Sequence, residues 1–68
     1  MNKHFYIALV YNHTDGKQRL IIRDEAQDMK ESLLNIPADE SCSELIEYHY
    51  VDKVVKRYNL HDLVKFLR

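Results

Sequence analysis

Five side chains in this 68-residue chain are of the types that ligate metals or act as nucleophiles: His4, His13, His49, His61 and Cys42. A metal site legible in sequence needs donors at intervals such as C-x-x-C, H-x-x-x-H or H-E-x-x-H, which put two ligands on one side of a turn or helix. None of those intervals occurs. No metal ligand is therefore expected, and each histidine reads as an ordinary surface or interface residue. His49 alternates with Tyr48 and Tyr50 and should face away from both. Cys42 with a distant histidine could form a nucleophile–base pair. Its flank, Glu40-Ser41-Cys42-Ser43, argues against one, because an acidic neighbourhood disfavours the thiolate. Gly16 is the only glycine, so no glycine-rich loop can cradle a phosphate. No catalytic residue, cofactor or metal is expected, and no enzyme activity.

Charge is the second kind of chemistry, and it is sorted along the chain. Residues 1–23 carry a net +3, residues 24–47 a net −7, and residues 48–68 a net +3, which leaves −1 overall. The acidic middle offers Asp28, Glu31, Asp39 and Glu40 as a docking face for a basic protein partner. The basic end offers Lys53, Lys56, Arg57, Lys65 and Arg68 as phosphate contacts, with nearby tyrosines for base stacking. The near-neutral total argues against a nucleic-acid mimic and against a dedicated nucleic-acid binder alike. Binding of nucleic acid is therefore the alternative reading.

The elements that must position these groups follow from pattern. Phe5 to Tyr11 is apolar on both faces and rich in aromatic and β-branched residues, which predicts a central strand. Asp15-Gly16 supplies a tight turn, and Gln18 to Arg23 a second strand, so residues 4–23 read as a β-hairpin. Residues 24–36 read as an amphipathic helix capped by Asp24, with Gln27 completing a capping box. Ala26, Met29, Leu33 and Ile36 form its apolar side, acids line the outside, and Pro37 ends it. Residues 37–43 read as a polar acidic loop. Residues 44–50 alternate as a strand, and residues 51–58 carry a helical stripe. One continuous helix over 44–58 is the alternative, which would leave a β-hairpin plus helices. Asn59 caps a last helix whose buried side would be Leu60, Leu63, Val64 and Leu67.

The expected fold is a small two-layer α+β domain of order ββαβα, with a three-stranded antiparallel sheet and helices on one face. Such a sheet leaves its other face open. Tyr6 and Ile21, or the opposite set, should then stay partly exposed, and that face or an edge strand is where a homodimer is expected. A lone cysteine and no apolar run near 18–20 residues predict a cytoplasmic chain that does not engage the membrane. In size and in the lack of a catalytic motif the chain is similar to small accessory proteins of bacteria and their phages, some of which inhibit a host enzyme. The resulting functional expectation is a small protein-binding module, an adaptor or inhibitor, that occludes its partner through the acidic face.

Overall fold

In the computed structural model, which describes residues 3–68, the chain folds as ββαββα. The strands are β1 (His4–Asn12), β2 (Gln18–Arg23), β3 (Glu40–His49) and β4 (Val54–Tyr58), and the helices are α1 (Ala26–Leu34) and α2 (Leu60–Leu67). The fold is α+β, with one antiparallel sheet of four strands in the order β2-β1-β3-β4. The expected sheet of three strands lacks one. Residues 54–58, read as helical from their stripe, are the fourth strand and pair with β3 from Leu45↔Tyr58 to His49↔Val54. Val-Val-Lys-Arg-Tyr satisfies both periods, and the partner decides between them. β3 offers a row of unpaired backbone groups that a helix could not use, and β-branched residues fit the pleat.

The turn between β1 and β2 is built by Asn12. Its Oδ1 accepts from the backbone N–H of Thr14 at 2.8 Å and of Asp15 at 3.1 Å. Gly16 takes φ +73° there, the left-handed position the Asp-Gly pair announces. The segment expected as a loop, 37–43, becomes strand from Glu40 onward. The β1–β3 register shifts between Leu9 and Val10, whose partners are Glu44 and Cys42, so Ser43 bulges out and its hydroxyl donates to the Leu9 carbonyl.

Alternation sends Tyr6, Ala8, Val10, Ile21 and Leu45 to one face, where they meet Met29 and Leu33 of α1. Ile36, Leu63, Phe66 and Leu67 pack around this core. α1 is shorter at both ends than the apolar pattern implies. Its N-cap falls on Glu25, one residue after the expected Asp24, and makes no side-chain capping bond. At α2 the Asn59 cap is formed, its Oδ1 accepting from the Asp62 N–H at 2.8 Å. The helix is rotated from the expected aspect, however. Phe66 turns inward between Tyr6 and Tyr58, with ring centroids 5.7 and 5.6 Å away, and Leu60 is left 79% exposed. Three aromatic rings bury more surface than a leucine, so they set the rotation.

Candidate functional site

The helices cover one face of the sheet, and the other carries a continuous apolar surface. Phe5, Ile7 and Leu9 of β1 lie along its middle and are half-buried by their neighbours. β2 adds Leu20 and Ile22, 60% and 52% exposed, and β4 adds Val55, 51% exposed. β3 contributes Ile46 and Tyr48, the latter edge-on to Phe5 at 5.5 Å between centroids. Of the two sets between which alternation left the choice, Tyr6 and Ile21 are buried under the helices and the opposite set is uncovered. A hollow on this face is lined by Ile7, Leu9, Leu20, Ile46 and the one charge pair of the surface, Glu44 with Arg57.

Both edges of the sheet carry cations. β2 bears Arg19 and Arg23, and β4 bears Lys56 and Arg57. Arg19 and Arg57 are paired with Glu40 and Glu44, so it is the charges of Arg23 and Lys56 that disfavour pairing of either edge with its own copy, a common protection of exposed edges. With β1 central, a three-stranded sheet would have β2 and β3 as its edges; β2 is one, but β3 is internal and β4 is the other.

The acidic residues divide. The Arg19 guanidinium donates from Nε and Nη2 to the two Glu40 oxygens, both at 2.9 Å. This fork holds the Glu40 carboxyl below its usual range. Asp39 accepts from Asn12 Nδ2 at 3.3 Å, and its carbonyl accepts from the His13 N–H. These two acids therefore clasp the β1–β2 turn to the start of β3. Asp28 and Glu31 instead stay on the outer side of α1, around an open hollow with Arg23, Ser32 and Asn35. The four acids thus lie in two places, Asp28 and Glu31 on α1 and Asp39 and Glu40 at the start of β3. A depressed carboxyl pKa stabilises the fold above the unfolded value, and that contribution is lost as pH falls through the lowered folded value. Glu40→Gln is therefore expected to lower the melting temperature at neutral pH, and the gap to the parent chain should close in acid; circular-dichroism melts over a pH series measure both.

The basic residues are also dispersed. Lys53 sits in the β3–β4 turn with φ +56°, and Lys56 stands with its Nζ 4.8 Å from the Tyr58 ring on the helix side. Arg57 is on the open face, and Lys65 is in the last turn of α2. Arg68 accepts at its carbonyl from Lys30. The pair of helices imagined across Asn59 is a strand followed by a single helix. Cys42 is half-buried, and burial pushes its thiol up, while the bond it donates to the Glu44 carbonyl pulls the other way.

One constellation has no counterpart in the sequence patterns. His4 and His49 are register partners on β1 and β3, and Glu47 stands two residues before His49 on the same face. The imidazoles stack at 5.0 Å, and both point toward one carboxylate oxygen: Glu47 Oε2 is 2.6 Å from His49 Nε2 and 3.9 Å from His4 Nε2. Tyr58 donates to the other oxygen at 2.9 Å, and its phenol is held well above the usual range, first by burial and then by this bond. The interval Glu47-x-His49 on a strand was the available signal; His4, 45 positions away from His49, enters only through strand register.

No family model, curated protein or solved structure matches this chain. Among the described residues, no helix is long and apolar enough to cross a membrane.

Proposed function

We propose that the protein is a small protein-binding module that works as a homodimer, assembled through the open sheet face and presenting the acidic side of α1 outward. The observation that carries this reading is the uncovered apolar face itself. Only seven residues of the described chain are buried, whereas Leu20, Ile22 and Val55 are each more than half exposed. Small domains with thin cores are commonly completed by a second copy.

Three features favour a second copy as the occupant. The face carries one acid and one base, Glu44 and Arg57, so it is neutral and self-complementary under a twofold axis. The cationic edges work against edge pairing and leave face packing as the route. The area also suffices. Four strands at about 4.8 Å spacing and about 25 Å length give a flat footprint near ~450 Å² per copy. Doubled and roughened by side chains, this reaches the ~1,000 Å² at which specific interfaces begin. Two sheets stacked about 10 Å apart would bury both apolar faces in one sandwich.

α1 lies on the far side of the sheet, so Asp28 and Glu31 of each copy would remain free to meet a basic partner. Their role would be to speed encounter and select the partner. Affinity recovery from the source cell, quantified by mass spectrometry, tests this part with the parent chain beside Asp28→Lys/Glu31→Lys. The partner should be lost from the charge-reversed protein while its dimer persists. Equal recovery by both would remove the acidic stripe from the proposal. The nucleic-acid alternative draws on no comparable surface, since Lys56 and Arg57 point to opposite faces of the sheet.

A further inference from the structure

We infer that His4, Glu47 and His49 form a binding site for a divalent transition-metal ion of the zinc class. Two imidazoles and a carboxylate are the donor set of many open zinc and iron sites, and they suit borderline metals rather than magnesium or calcium. Their ligating atoms lie within 4.8 Å of one another. Tetrahedral zinc with bonds of about 2.0–2.1 Å needs donors about 3.3 Å apart. The His49–Glu47 separation of 2.6 Å must open slightly and the His4–Glu47 separation of 3.9 Å must close slightly. Both are side-chain adjustments on a fixed backbone, because the two strands are hydrogen-bonded neighbours in register.

The surroundings also resemble a metal site. Glu47 is the least exposed of the three, with a side chain only 12% accessible. A carboxylate so enclosed requires positive charge or strong donors nearby. Tyr58 binds its second oxygen and fixes the plane of the group, leaving Oε2 turned toward both rings. Such an outer donor orients the ligand and tunes affinity. The histidines are each about one-third exposed, which gives the ion a path from solvent and leaves room for a water as fourth ligand. The cluster is on the helix-side face at the end of β1, opposite the proposed dimer surface, so the two readings stand independently.

Calorimetric titration of the folded chain with Zn(II) tests the site, with Co(II) absorption as the spectroscopic probe. One ion per chain is expected, with visible Co(II) bands of low-coordinate geometry and no heat from Mg(II) or Ca(II). His4→Gln and His49→Gln should each weaken binding at least tenfold while the circular-dichroism spectrum is retained. Tyr58→Phe keeps all three ligands and should weaken binding about 10–100-fold. His13→Ala/His61→Ala should leave it unchanged. No binding by the parent chain, or binding that survives His4→Gln/His49→Gln and is lost with His13 and His61, overturns the assignment.

Discussion

Ile22→Glu is expected to split the proposed dimer and leave each chain folded. Ile22 is 52% exposed in the single chain and lies on the edge strand β2, so a charged side chain there meets water and not the core. Across a stacked pair of sheets the same glutamate would be forced into an apolar layer. Fully burying an aliphatic side chain is worth about 1.5–3 kcal/mol, and a twofold axis counts the loss twice. The dissociation constant should therefore rise by at least about 100-fold. Sedimentation and circular dichroism separate the outcomes. A monomer with a parent-like spectrum is the expected result, and a dimer of unchanged affinity would mean that the surface is not the contact. Exchanging the pair, Glu44→Arg with Arg57→Glu, provides a milder companion that keeps the surface neutral.

Leu45→Ala should be the most damaging single substitution on the helix side. Leu45 is fully buried on β3, opposite Ala8 and Tyr58, at the centre of the sheet. Truncating a buried leucine costs about 2–5 kcal/mol, depending on how far the cavity collapses. A domain of this size has about 3–5 kcal/mol from its core, so the change consumes most or all of it. Urea titration should show a midpoint near zero denaturant or no folded baseline. Leu60→Ala provides the contrast. Its helical spacing with Leu63, Val64 and Leu67 marked it for the buried side of α2, yet the residue is 79% exposed and its loss should fall within about 0.5 kcal/mol.

These two leucines show where the sequence was legible. Strand β1, the Asn12–Gly16 turn and strand β2 are local: alternation, one Asp-Gly pair and seven residues of apolar run suffice. The Asn59 cap is likewise local. Residues 54–58 were not legible, because their valines and tyrosine fit helix and strand periods equally and only the edge of β3 decides. The rotation of α2 follows from Phe66 meeting Tyr6 and Tyr58, residues of two different strands. The pairing of Glu40 was illegible for the same reason. Glu40 looked free beside its acidic neighbours, while its partner Arg19 is 21 positions away across the β1–β2 turn. The histidine–glutamate cluster is the extreme case, with no spacing signal linking its two histidines. What was legible of the open sheet face was its existence, since a two-layer domain must leave one face bare; which residues form it depended on the register.

Sedimentation equilibrium of the unmodified chain over a concentration series reads the proposed assembly without any substitution. The expected mass is twice the chain's 8.2 kDa, falling toward one chain only on dilution. A single-chain mass at every concentration up to the millimolar range would contradict it.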